Sequence, residues 1–341
     1  MPKNSTKILL LLTLVSGMLI SISSNSWLGV WMGLEINLLS FIPLMNNVKN
    51  TFTTEASLKY FLVQAIASLV MIFIIIYKAI ISSMIIFMNI NNLLTSFISI
   101  PLMFKGGAAP LHWWFPSVME GLDWMNCLIM MTIQKISPLV LSSYVLKFNL
   151  LASTFILMSV VVGAIGGFNQ TSTRKIMTYS SINHMGWMLS AILLGMNLWS
   201  IYFSIYLILT SSVMMFLSKF QMSFVNQSML MNLKSETKLN FFMVLLSLGG
   251  LPPFLGFLPK WIIIQLMIAN NLITIVVLMV ISSLITLFYY LRICYSTFLI
   301  YHHKIKWFNW LHKTNPKVLS TSISTISLLG LVLTTALINM Y

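Results

Sequence analysis

The sequence predicts an all-α polytopic membrane protein: about eleven transmembrane helices, read as two inverted five-helix repeats with broken helices four and nine, plus a C-terminal helix. Three observations predict it. The 341 residues are 58% hydrophobic and only 7% charged, with a mean hydropathy of +0.94. A soluble domain carries about 25% charged residues, so this chain has too few polar side chains to cover a globule. Apolar stretches of about twenty residues, the length that crosses a bilayer, recur along the whole chain. Lys and Arg gather on alternate loops between those stretches.

The spans read in order as 7–23, 27–45, 56–77, 93–120, 124–146, 149–168, 174–194, 197–218, 239–268, 271–298 and 319–340. Lys3 and Lys7 ahead of Ile8–Ile20 imitate a secretory signal, but no small-residue cleavage site follows. "SISSNSWLG" runs straight into the next span, which predicts a retained first helix. Thr53 and Thr54 before Glu55 and Lys59 predict a capped start to the third span with a local i,i+4 pair. Segment 78–92 fits either an extension of that span or a loop at the surface. Asp123, after Gly121, reads as an N-cap for the fifth span, and Glu120 as interfacial. "GAIGG", Gly163 to Gly167, suits close helix approach rather than a dinucleotide site, because no strand precedes it. Segment 302–317 is basic and aromatic, as befits a loop with interfacial tryptophans or a contact to lipid head groups or a partner. The whole chain, 1–341, reads as a single transmembrane domain, with a first repeat at about 7–146, a second at about 149–298 and the last helix at about 319–340.

With this count, thirteen of the 19 Lys and Arg lie on the side of the N-terminus, two (Lys78 and Lys147) on the other, and four inside spans. The rule that cytoplasmic-equivalent loops are positive then fixes the orientation and accounts for the net charge of +14 without any nucleic acid. Lipids are the expected surroundings. Cys127 and Cys294 both fall in apolar runs and read as inert thiols, with no disulfide framework and no metal spacing.

Against this apolar background a few charges stand out. Glu35 in "WMGLEINLLSF", Lys105 in "FKGGAAP", Lys135 in "MMTIQKISPLV" and Lys260 in "GFLPKWIIIQ" all fall near span centres. An isolated charge there costs about 2.5–3.5 kcal/mol on insertion scales, and such residues mark ion or proton pathways. A locking ion pair or snorkelling to the surface would be the bland alternative. Snorkelling suits Arg292, near the basic end of its span, and suits the other four poorly; one glutamate also cannot neutralise three lysines. Desolvation disfavours a charged lysine and a nearby carboxylate favours it, so moving one opposite charge switches a buried lysine. Glu35 with Lys105 makes such a pair, with Lys135 and Lys260 as further proton stations.

Two of these lysines adjoin helix breaks. Lys105 precedes "GGAAP", and "LGGLPPFLGFLPK" leads up to Lys260. Gly and Pro weaken a helix, and in lipid the freed backbone groups are tolerated only where protein or water satisfies them. The broken spans are the fourth and ninth, five apart, an offset that inverts topology. Discontinuous helices at matching positions of inverted halves mark ion sites in secondary transporters. His112, just past the first break, and His184, in "SSINHMGW", are lesser candidates: each suits either a proton relay near neutral pH or a hydrogen-bonded packing role. No nucleotide loop, metal-ligand spacing or nucleophile–base arrangement is present in the sequence.

"NSWLGVWMGLEINLLSFIPL", "TEASLKYFL", "FKGGAAPLHWWFP", "QKISPL", "SSINHMGWM" and "LSLGGLPPFLGFLPKW" together resemble the chain 2 family of mitochondrial NADH–ubiquinone oxidoreductase, in its arthropod form, over about residues 25–298. The Met-rich, Cys-poor composition suits an AT-biased organellar genome. The resemblance implies an antiporter-like, proton-pumping subunit of the membrane arm of respiratory complex I, in the mitochondrial inner membrane, with the N-terminus on the matrix side and the C-terminus on the intermembrane-space side. Glu35 and Lys105 match the family's coupling ion pair, Lys135 its central proton site and Lys260 the site in the second broken helix. His112 and His184 fall in matched motifs with less settled roles. The resemblance also implies partners among the other membrane-arm subunits, including further antiporter-like ones. It places NAD, FMN, iron–sulfur clusters and ubiquinone in other chains, with no cofactor in this one. A freestanding cation/proton antiporter and a non-pumping scaffold subunit are the rival readings.

Overall fold

The computed structural model describes residues 5–47, 50–84, 88–230 and 235–298. The expected helix at 319–340 and the basic segment 302–317 lie outside these residues. Fourteen helices are present among the described residues, with no strand, and a single bridge pairs Ser172 with Phe224. Seven helical segments are long and apolar enough to cross a membrane. The predicted spans that miss this test are instructive. Two are the interrupted ones, and the third, at 174–194, is helical but polar. The chain divides into two compact units, Met1–Val162 and Gly163–Tyr341.

In the first unit, α1 (Ser5–Ser23) packs along α2 (Trp27–Met45), whose N-terminus is capped by Ser26 Oγ accepting from Gly29 N at 3.2 Å. The two helices meet at glycines: a Cβ on Gly33 would lie 2.6 Å from Ser21 N and 2.9 Å from Gly17 O, so the backbones are in contact. α3 (Thr51–Met84) begins five residues earlier than the hydropathy suggested. Its cap is Asn50, whose side-chain oxygen accepts from Phe52 N at 3.1 Å, rather than Thr53 or Thr54, and Glu55 and Lys59 are exposed. It also continues through Lys78 to Met84, so that part of segment 78–92 is helix; residues 85–87 are outside the described set.

α4 (Met88–Gly106) and α5 (Trp114–Gly121) replace the fourth predicted span, interrupted where "GGAAP" predicted. α6 (Trp124–Met131) and α7 (Ile133–Val145) replace the fifth. That second interruption was not foreseen. Thr132 breaks the helical dihedrals at φ −114° and ψ −78°, and its hydroxyl donates to Leu128 O at 2.7 Å. Pro138 follows six residues later and cannot donate to Gln134 O, which loosens the same turn. Asp123 does occupy the N-cap position of α6, but its side chain makes no capping bond; Asn47 Nδ2 reaches it at 3.4 Å instead. Val30, Leu34, Met71, Ile98, Leu102, Leu141 and Val145 form the apolar core between α2, α3, α4 and α7.

α8 (Leu150–Phe168) carries the boundary between the units. In the second unit α9 (Thr173–Leu194) is buried almost throughout, among α10 (Met196–Phe220), α13 (Phe257–Ala269) and α14 (Ile273–Phe298). Thr178, Ser180, Ser181 and Ser190 return their hydroxyls to carbonyls of α9 itself, and His184 meets the Tyr202 hydroxyl of α10, so a helix too polar for lipid is buried among other helices. α11 (Val225–Leu230) is short, and α12 (Ser235–Gly249) with α13 forms the second interrupted pair. Arg292 reaches the end of α8: its guanidinium donates to Phe168 O at 2.7 Å and to Gln170 O, just past the helix, at 2.5 Å, a favourable place for a cation.

Candidate functional site

Both breaks are built by the same local chemistry. At the end of α4, Gly107 adopts φ +73°, its N–H donates to Phe104 O at 3.2 Å, and Ala108 N donates to Met103 O at 3.0 Å. At the end of α12, Gly250 adopts φ +83°, its N–H donates to Ser247 O at 3.1 Å, and Leu251 N reaches Leu246 O at 3.5 Å. These are Schellman caps, in which a left-handed glycine turns the chain back over its own last carbonyls. Each therefore leaves the negative end of a helix dipole inside the protein. A lysine stands at each: Lys105 in the last turn of α4, and Lys260, whose Nζ donates to Gly249 O at 2.8 Å. At the second break the carbonyl exposed by the cap supplies what the Lys260 ammonium needs in a low-dielectric interior.

In the first unit the freed carbonyls of α4 are met by side chains: Trp114 Nε1 donates to Phe104 O at 3.2 Å and Gln64 Nε2 to Lys105 O at 3.4 Å. Lys105 and Lys135 are both buried and line one cavity of about 20 Å³, with Tyr60, Gln64, Asn37 and Gln134 also on its wall. That volume is enough for one water, which needs the two to four polar partners this wall offers. Lys135 Nζ lies 5.2 Å from the centre of the Phe115 ring, on the break side. Glu35 is half-buried and does not line the cavity, but its carboxylate acts electrostatically on both Lys105 and Tyr60. The structure thus brings Lys105 and Lys135 onto one cavity in the first unit, with Glu35 off it and within electrostatic reach of Lys105. His112 is buried in the break itself, with Nδ1 donating to Pro110 O at 3.2 Å and the ring stacked on Trp113; it is not on the cavity wall.

In the second unit Lys260 is buried, with its Nζ 5.8 Å from the centre of the Trp187 ring. His184 is buried and its Nδ1 is 2.8 Å from the Tyr202 hydroxyl. A small cavity of about 10 Å³ separates His184, Tyr202 and Tyr206 from Gly256 and Pro259 of the second break. No group of three or more metal-ligating side chains is present among the described residues.

Sequence reasoning missed the amides. Asn37 and Gln134 face each other across α2 and α7 and exchange two hydrogen bonds, each 3.0 Å. Each is adjacent in sequence to a singled-out charge, two residues from Glu35 and one from Lys135. A search for uncharged polar residues in apolar spans would have found them. Removing either partner leaves the other amide buried and unbonded, at about 1–3 kcal/mol, whereas removing both avoids that penalty. Asn37→Leu and Gln134→Leu are therefore each expected to lower the thermal inactivation midpoint of the assembled protein, and the double variant by less than the sum. Additive losses would show that the pair is not energetically coupled.

The family described as NADH:quinone oxidoreductase/Mrp antiporter, TM, matches residues 24–286, and NADH dehydrogenase subunit 2 C-terminus matches residues 287–338. NADH-ubiquinone oxidoreductase chain 2 of Anopheles gambiae is 48% identical over 332 residues, 96% of this chain and 94% of that one. Among solved structures, a chain of respiratory complex I from Thermus thermophilus shares the fold with a TM-score of 0.83 at 23% identity, over 97% of this chain and 79% of the other. A chain of the Mrp complex from Dietzia sp. does so with a TM-score of 0.76 at 17% identity, over 85% of this chain and 60% of the other.

Proposed function

The chain belongs to the NADH–ubiquinone oxidoreductase chain 2 family, and on that premise we propose that it is the antiporter-like, proton-translocating subunit of a mitochondrial NADH:ubiquinone reductase, passing protons through Glu35, Lys105, Lys135 and Lys260. The observation that carries this reading is the water-sized polar cavity shared by two buried lysines beside a helix break. Two lysines on one small polar cavity are arranged so that a proton on one raises the cost of a proton on the other. Glu35, off the cavity but within electrostatic reach of Lys105, sets which of the two holds it.

Lys260 takes the same part in the second unit, held on the carbonyl end of α12. The finer topology in this reading is eleven spans in two inverted repeats, centred on the two breaks, in the mitochondrial inner membrane with the N-terminus on the matrix side. The similarity of the two Schellman caps supports the repeat. Electron transfer from NADH to ubiquinone belongs to other subunits, and the remaining membrane-arm subunits are the partners. His112, bound to its own turn, takes no step in this scheme.

Glu35→Gln tests it. The variant keeps the shape of the side chain and removes the charge that biases Lys105. Assembled enzyme carrying it is expected to lose about 5- to 100-fold in NADH oxidation coupled to pumping, the range of ordinary coupling energies. Full coupled turnover in the variant would reject Glu35 as the switch and favour a scaffold role for the first unit.

A further inference from the structure

We infer that the Trp187 indole takes the place of a counter-charge for Lys260, holding its ammonium between the ring face and the carbonyl end of α12. Trp187 is then a positioning residue for the second proton station. The inference rests on the reading of Lys260 as that station and adds the group that steadies its charged form.

The sequence holds five acidic residues: Glu35, Glu55, Glu120, Asp123 and Glu236. Only Glu236 falls in the second unit, Gly163–Tyr341. It stands near the start of α12, thirteen residues before Gly249, which is about 20 Å of helix rise. Gly249 is the residue whose carbonyl accepts from Lys260 Nζ at 2.8 Å. No carboxylate of this unit therefore reaches Lys260. The first unit differs, since Glu35 acts electrostatically on Lys105. A buried ammonium with no acid beside it must be met in another way.

Three contacts meet it. The Gly249 carbonyl fixes the position of Nζ. The side chain lies along the Gly250 backbone, where an added Cβ would stand 3.0 Å from both Cδ and Nζ of Lys260. The third contact is Trp187, brought up by the packing of α13 on α9: Nζ is 5.8 Å from the centre of its ring, inside the roughly 6 Å range of cation–π attraction. Lys260 is 6% exposed and Trp187 1%, so water does not compete at the ring, and desolvated pairs of this kind are the stronger ones.

Two features separate this contact from aromatic packing. The Trp187 Nε1–H is buried with no hydrogen-bond partner. Phenylalanine would occupy the position without an unsatisfied donor, so the N–H is not what the site uses. The ring face is, because indole attracts a cation more strongly than any other aromatic side chain. The second feature is discrimination between protonation states. A neutral amine can still donate to Gly249 O, whereas the ring quadrupole attracts the ammonium and has little hold on the amine. The carbonyl thus sets where Nζ sits, and the ring favours the state in which it carries the extra proton. In the first unit Lys135 stands over Phe115 at 5.2 Å, a weaker face, but that unit also has Glu35.

The test uses assembled enzyme in sealed proteoliposomes, measuring proton-coupled NADH oxidation per assembled complex for Trp187→Phe, Trp187→Met and Lys260→Met. Native gels read accumulation of the same variants and of Trp187→Met/Lys260→Met. Trp199→Met is the control: Trp199 is also a buried indole with an unpartnered N–H, but its ring stacks on Phe203 at 5.3 Å. Trp187→Met is expected to slow coupled turnover about 2- to 30-fold, the population equivalent of a cation–π contact. Trp187→Phe also shrinks the side chain but keeps a face, and is expected to retain most of the rate; Trp199→Met is expected to retain all of it. Equal losses in the two Trp187 variants would make Trp187 a packing residue and overturn the inference. Wild-type turnover in both, with Lys260→Met impaired, would overturn it too and leave Lys260 standing. If Trp187→Met does not accumulate, the double variant decides. Restored accumulation there shows that a bare ammonium was the fault, and continued failure assigns the loss to packing and rejects the inference. Wild-type turnover of Lys260→Met would overturn the reading of Lys260 as a proton station and, with it, the role given to Trp187.

Discussion

Lys135→Met is expected to assemble at wild-type levels and to lose about tenfold or more of proton-coupled turnover. Methionine matches the length of the lysine stem and fills the same space against Phe115. It removes a buried charge whose insertion cost is about 2.5–3.5 kcal/mol, so the fold has nothing to lose by the change. The function does. Lys135 and Lys105 share one small polar cavity, and a proton held on either is felt by the other. Without an ionisable group at 135, a proton leaving Lys105 has no partner across the cavity. The amide pair Asn37–Gln134 cannot replace it, since both amides are already committed to each other. The measurement is pumping and NADH oxidation by purified variant enzyme at full occupancy. Wild-type rates there would remove Lys135 from the proton path and leave activity to follow assembly alone, as a scaffold role requires.

What was legible in the sequence follows a physical rule. Charges in apolar spans and Gly/Pro clusters are rare events against a uniform background, so Glu35, the three lysines and both breaks could be read directly. Polar uncharged residues are commoner and cheaper in membrane helices, and their meaning depends on what faces them. Asn37 and Gln134 are 97 positions apart, and only the packing of α2 on α7 makes them a pair. His184 and Tyr202 of the second unit are the same case: they stand 18 positions apart and meet only where α10 packs on α9. The interruption at Thr132 was missed because neither Gly nor Pro stands at it; the nearest, Pro138, lies six residues on, inside α7. The cap of α3 was misplaced because Thr53 and Thr54 fit the pattern and Asn50 fits it equally well; the side-chain bond to Phe52 decides between them.

The second break depends on a glycine for a reason its dihedrals do not show. Gly256 has φ −66° and ψ −17°, which any residue adopts, so no conformational freedom is being used there. What it lacks is a Cβ. One built at this position would overlap the Ser247 carbonyl oxygen and stand 2.8 Å from its carbon, with Leu209 Cδ1 at 3.3 Å. Ser247 O is backbone near the end of α12 and already accepts from Gly250 N at 3.1 Å, so it cannot move without undoing the cap. α13 would have to withdraw instead, and Lys260, one turn along it, would lose Gly249 O. Overpacking of this kind costs about 1–3 kcal/mol or more, and here it falls on the contact that holds a buried ammonium. Gly256→Ala is therefore expected to leave little of the subunit in assembled enzyme. Gly249→Ala, seven residues away, is the control: its Cβ would meet only Leu287 and Tyr290 side chains at 3.6 Å, ordinary contact distance. Native-gel quantification of the assembled complex distinguishes the two. Equal, wild-type accumulation of both variants would mean that the close approach of α13 to α12 is not what places Lys260.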